Sequence, residues 1–115
     1  MTTAELSTLI NATVVTPGNA ADGTVTCGYA CDLLSWVLAH GRPGMAWTTV
    51  QTHMNVVAVA VLMEMSCVIL SENNRLEEDA LAKARQEGLC VLVTDKTAYE
   101  VCGILMRAGI MPPSP

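Results

Sequence analysis

The densest run of hydrogen-bonding side chains in the 115-residue sequence is Thr48-Thr49-Val50-Gln51-Thr52-His53-Met54-Asn55. Gln51 to Asn55 puts an amide, a hydroxyl, an imidazole and a second amide directly ahead of an apolar helical stretch. The free N–H groups at the start of such a helix favour an anion. The same residues have a structural use, with Thr52 or His53 capping the helix and Gln51 fixing a loop. Two other short polar runs, Ser71-Glu72-Asn73-Asn74 and Thr94-Asp95-Lys96-Thr97, each follow an apolar segment. Asp32 and Ser35 stand after an earlier one, with Asp32 where a helix N-cap belongs.

Stronger chemistries lack their parts. Cys27 and Cys31 are spaced like half a metal site, but no second pair follows and neither His40 nor His53 has a carboxylate partner in sequence, so no metal is expected. Ser35, His53 and Asp95 can be assembled on paper into a hydrolase triad, yet no Gly-x-Ser-x-Gly elbow surrounds the serine. Lys96-Thr97 mimics the end of a phosphate-binding loop, but Val91 to Asp95 holds no glycine to let backbone amides curl round a phosphate. Gly-x-Gly-x-x-Gly is absent as well. An enzyme using His53 and Asp32 as acid and base is the weaker reading. A non-catalytic chain without a cofactor is expected.

The elements that must position these residues follow from periodicity and punctuation. A helix is predicted from Thr3 to Ile10, capped by Thr2 or Thr3, then strands at Thr13 to Val15 and Thr24 to Ala30. The turn-rich segment Pro17 to Gly23 separates those strands, which could pair as a hairpin. Leu33 to Leu38 reads as a short helix closed by Gly41 in a left-handed conformation. Met45 to Val50, Cys67 to Leu70 and Leu89 to Val93 read as strands. Asn55 to Met65, Arg75 to Glu87 and Thr97 to Ala108 read as helices, with Asn74 and Glu77 as a capping box, Asp79 and Lys83 paired, and Gly88 and Gly109 as stops. Apolar strands alternating with helices predict an α/β fold: a single-domain, mainly parallel sheet of four to five strands with helices on both faces, over residues 1–109. The Pro-rich tail 110–115 is expected to be flexible. In such sheets ligands bind at the carboxyl ends of the strands, where Asp32, Ser35, Thr49, Gln51, Thr52, His53, Asn55 and Thr94 would gather.

Composition narrows the function classes. The net charge is -5, and the six Lys and Arg residues are scattered singly, so no basic stripe for nucleic acid exists. The apolar run Val56 to Met63 is far short of the roughly 20 residues that span a bilayer. No basic segment precedes an apolar run at the start, so a cytoplasmic location is expected, with the five cysteines as thiols. Only 15 % of residues are charged while 51 % are hydrophobic, and mean hydropathy is +0.40. That is more apolar surface than a monomer of this size hides. The helix from Asn55 to Met65 is apolar almost all round, which predicts a homodimer through or near it.

Asp22-x-x-Val25-x-x-Gly28-Tyr29-x-x-Asp32-Leu33-Leu34-Ser35 and Trp47-x-Thr49-x-Gln51-Thr52-His53-x-Asn55-Val56-Val57-Ala58-Val59-Ala60 together resemble the DRTGG domain family, over about Thr3 to Ala108. Gly23 stands where an Arg is common in the family, and Cys27-Gly28 where a glycine pair is. The family is similar to the N-terminal, non-catalytic domain of HPr kinase/phosphorylase, and its members stand alone or beside catalytic or nucleotide-sensing domains. Stand-alone members tend to be encoded beside iron hydrogenase subunits and histidine-kinase-like regulators. The resemblance implies a regulatory, ligand-sensing module, with an adenine nucleotide or another small phosphate-containing molecule as first ligand. A family site would map to Asp22, Gly28, Asp32, Ser35, Thr49, Gln51, His53 and Asn55. The alternative is an adaptor with no small ligand, serving hydrogenase assembly or signalling.

Overall fold

The computed structural model describes residues 1–18 and 23–114. Asp22 and most of the predicted turn at 17–23 lie outside them. Five strands form one sheet in the order β1-β5-β4-β3-β2, from β1 (Thr13–Pro17), β2 (Cys27–Ala30), β3 (Met45–Thr49), β4 (Cys67–Leu70) and β5 (Cys90–Val93). The run β2 to β5 is parallel, and β1 alone is antiparallel, paired to β5. The predicted α/β architecture is the one observed.

Alternating residues of the apolar strands feed two cores. Met45, Trp47, Val68, Leu70, Val91 and Val93 pack under α2 (Leu34–His40), α3 (Met54–Leu62) and α4 (Glu78–Glu87). Ala46, Cys67, Ile69, Cys90 and Leu92 pack under α1 (Thr3–Leu9) and α5 (Ala98–Arg107) on the other face. Successive parallel strands step across the sheet in one direction, so right-handed crossovers put α2, α3 and α4 on a single side. Trp47 is fully buried, and its indole N–H donates to the Cys31 carbonyl at 2.8 Å, tying the end of β2 to β3.

Several local expectations are corrected. β1 and β2 form no hairpin; they are the two outer strands of the sheet, because β1 finds its apolar partner in β5. Gly41 ends α2 in an extended conformation (φ -60°) and not a left-handed one, and it is small because Met65, Met63 and the Val37 carbonyl crowd its α-carbon. Asn74 does not cap α4. The N-cap is Glu77, without a side-chain bond, while the Asn74 amide donates to the Ser71 carbonyl at 2.8 Å. Lys83 pairs with Glu87 at 3.0 Å, and the Asp79 carboxylate accepts from the Ala80 N–H instead.

Helix α3 ends at Leu62, before the expected Met65. Glu64 takes the left-handed position (φ 57°) while the Met65 N–H reaches back to the Ala60 carbonyl, a turn that closes the helix with a residue other than glycine. Thr2 and Thr97 do cap their helices in reciprocal bonds with Glu5 and Glu100. The backbone N–H and hydroxyl of each threonine hold the paired glutamate below its ordinary pKa. Of the tail, Ile110 is buried, the Met111 carbonyl accepts from the Gly28 N–H at 2.9 Å, and the Ser114 carbonyl accepts from Arg42.

Candidate functional site

Parallel strands β2 to β5 end on the same edge, so the loops after them meet there. Asp32 is not the cap of α2; Leu33 occupies that position without a side-chain bond. The Asp32 carboxylate turns toward the loop after β3, where Oδ1 accepts from the Thr49 hydroxyl at 2.8 Å and from the Val50 N–H at 3.0 Å. A carboxylate oxygen serving two donors from another loop is better satisfied than one serving its own helix start. Gln51 closes the network: its amide Nε2 donates to the Asp32 carbonyl at 3.1 Å, and its N–H donates to the Thr49 hydroxyl at 3.2 Å. Asp32, Thr49 and Gln51 thus form one clamp between the β2–α2 and β3–α3 loops.

The other candidate residues are arranged around this clamp's loops. His53 begins α3 without capping it, and its Nδ1 lies 2.6 Å from Glu77 Oε2, with both side chains exposed. A carboxylate partner assigns the ring proton to Nδ1. The Glu77 N–H donates to the Thr52 carbonyl, so the α3 and α4 starts are joined twice. The carboxylate that His53 meets is that of Glu77 and not that of Asp95. Ser35 and Asn55 are exposed and Thr52 is half-buried, and their side chains make no hydrogen bond among the described residues. Thr94 is buried; its hydroxyl donates to the Ile10 carbonyl at 3.0 Å and accepts from the Lys96 N–H at 3.3 Å, which pins the end of α1 to the end of β5.

Of the four helices that start on this edge, α5 alone has a side-chain cap; α2, α3 and α4 have none. The leading N–H groups of α3 are donors for an anion, whereas the first turn of α4 already gives its Ala80 N–H to the Asp79 carboxylate. Acidic side chains crowd the same edge: Asp32, Glu72, Glu77, Glu78 and Asp95 against Arg75 and Lys96. Multiply charged anions are weakened there.

Two cavities lie elsewhere. One of about 540 Å³ is at the amino ends of the strands, lined by Gly18, Gly23, Ser66, Glu87 and Cys90 among others. An apolar slot of about 290 Å³ lies between α5 and β2, lined by Ala30, Cys102, Leu105, Met106 and Pro112 among others. Neither is lined by Asp32, Ser35, Thr49, Gln51, Thr52, His53, Asn55 or Thr94. Among the described residues no group of three or more His, Cys, Asp or Glu could hold a metal, and no helix is long and apolar enough to cross a membrane. Burial raises the thiol pKa of Cys67, Cys90 and Cys102 above the ordinary value, which leaves them poor nucleophiles.

One residue of the edge belongs to a polar run noted in the sequence but not to the candidate site residues. Ser71, after β4, is 0 % exposed, and its hydroxyl has no hydrogen-bond partner. The run Ser71 to Asn74 marks its place at the strand end, but nothing in the sequence marks its hydroxyl as buried and unpaired.

The molecule is an α/β sandwich around an open, mainly parallel sheet. No protein-family model and no curated protein matches its sequence. Its fold is similar to the solved structure of the CBS and DRTGG domains of the regulatory region of Clostridium perfringens pyrophosphatase, complexed with the activator diadenosine tetraphosphate. The TM-score is 0.78 at 8 % identity, over 98 % of this chain and 51 % of that one. This chain therefore spans about half the length of that chain, and what the two share is the fold.

Proposed function

We propose that the chain is a non-catalytic regulatory module that senses a small phosphate-containing ligand, an adenine nucleotide first among them, at the carboxyl edge of its sheet, and that it acts as a homodimer. The observation that carries this reading is the fold likeness to a regulatory region held in complex with an adenine dinucleotide activator. The edge supports it: the start of α3, without a side-chain cap, stands beside the Asp32–Thr49–Gln51 clamp, and Ser35, Thr52 and Asn55 keep their side chains unspent. The acidic surroundings favour a weakly bound or small ligand over a tightly held triphosphate.

The dimer reading rests on charge. Between Leu33 and Met63 the only charged residue is Arg42. Helices α2 and α3 present exposed Leu38, Ala39, Ala58 and Leu62 with no charge of either sign. On a chain of net charge -5, such a face meets a second copy without repulsion.

Calorimetry with AMP, ADP, ATP and diadenosine tetraphosphate at millimolar concentration tests the sensor. Binding heat is expected for at least one of them, abolished by His53→Ala and by Asn55→Ala, with unfolding midpoints little changed because both residues are exposed. No heat with any of the four, or unfolding of both variants, refutes it. One observation favours a second reading, an adaptor without a small ligand: neither of the two cavities described above is lined by the candidate residues, and the apolar α2–α3 face is then a docking surface.

A further inference from the structure

Helix α4 leaves β4 toward one face of the sheet, and α5 leaves β5 toward the other. Neighbouring strands whose outgoing connections part in this way open a crevice at their carboxyl ends, where ligands of open α/β sheets bind. In this protein the crevice is closed. The Glu72 N–H donates to the Lys96 carbonyl and the Asn73 N–H to the Thr94 carbonyl, both at 2.9 Å, stitching the loop after β4 to the loop after β5.

The closure is held against two costs. Glu72 (φ 55°) and Asn73 (φ 58°) are consecutive left-handed residues, a conformation that asparagine tolerates and glutamate disfavours. Beneath them the Ser71 hydroxyl is buried and unpaired, alone in this among the side chains of the described residues. With Ile69 in the core under α1 and α5, the alternation of β4 places Ser71 on that same face, as Thr94 is. An opened loop would hydrate the hydroxyl and let Glu72 relax, so both costs fall on the closed state alone.

From this we infer that the crevice between β4 and β5 is the mouth of the ligand site and that residues 71–74 are a latch across it. Opening frees one hydroxyl and two backbone N–H groups, a set of donors suited to an oxyanion such as a phosphate. The latch rests on the carboxyl-edge reading and deepens it: it places the oxyanion between β4 and β5.

Native-state hydrogen exchange followed by NMR on the full chain, without ligand, tests the latch. The amides of Glu72 and Asn73 are expected to exchange by local opening, faster than the core amides of β4 and β5. Ser71→Ala removes the unpaired hydroxyl and should slow both about tenfold. Glu72→Gly, which fits the left-handed position, should slow them in the same direction. Because no nucleotide is added, absence of binding heat refutes the sensor and leaves this outcome readable by itself. The latch is overturned if both amides exchange only with global unfolding in the wild type, or if the folded variants exchange at an unchanged or faster rate.

Discussion

Asp32 joins two loops through a single carboxylate oxygen, and the hydroxyl it satisfies, on Thr49, is buried. Asp32→Ala should leave the Thr49 hydroxyl and the Val50 N–H without their partner and lower unfolding stability by about 1–2 kcal/mol. Asp32→Asn keeps the accepting oxygen and should cost well under half of that; urea unfolding of the two variants separates a clamp from a mere surface charge. The residue types at this edge were legible in the sequence, but their partners were not. Asp32 matched the local pattern of a helix cap, and nothing local announced that Thr49 would lie across the neighbouring strand. His53 showed no carboxylate nearby in sequence, and the fold supplied Glu77 by bringing the α3 and α4 starts together. An unpaired hydroxyl such as Ser71 is a product of packing and has no signature in composition or spacing.

The strands and helices from Met45 onward were legible because each strand is a short, continuous apolar run and each helix carries its own period. What failed were rules that use only neighbours in sequence. Asn74 and Glu77 fit a capping box, yet residues 71–77 are needed to bridge the loops of the edge, and α4 starts later. β1 and β2 are separated by a turn-rich segment that invites a hairpin, while the actual partner of β1 is β5, near the far end of the chain. Helix α3, apolar almost all round, exposes Asn55, Ala58 and Leu62, the last 69 % exposed. That face gives the dimer its test. Leu62→Lys places a charge on a surface that tolerates it in a monomer, so the variant should fold normally and scatter light as a monomer at tens of micromolar, where the wild type scatters as a dimer. A monomeric wild type at that concentration ends the dimer reading.

At the scale of the molecule, the candidate site follows from the direction of four parallel strands. Their common carboxyl edge gathers polar loops that the sequence keeps apart, and their one-way stepping leaves a single place, between β4 and β5, where connections part to opposite faces. The antiparallel β1 closes the far side of the sheet and lets Thr94 anchor the end of α1. A cavity of about 540 Å³ lies at the opposite, amino edge, so the two ends of the sheet are rival sites. Nitrogen–proton NMR spectra recorded while diadenosine tetraphosphate is added discriminate between them directly. The sensor account predicts that the shifted amides cluster at 31–35, 49–55, 71–74 and 94–97. Shifts confined to the lining of the amino-edge cavity, around Gly23, Ser66 and Gly88, or no shifts at millimolar nucleotide, would contradict it.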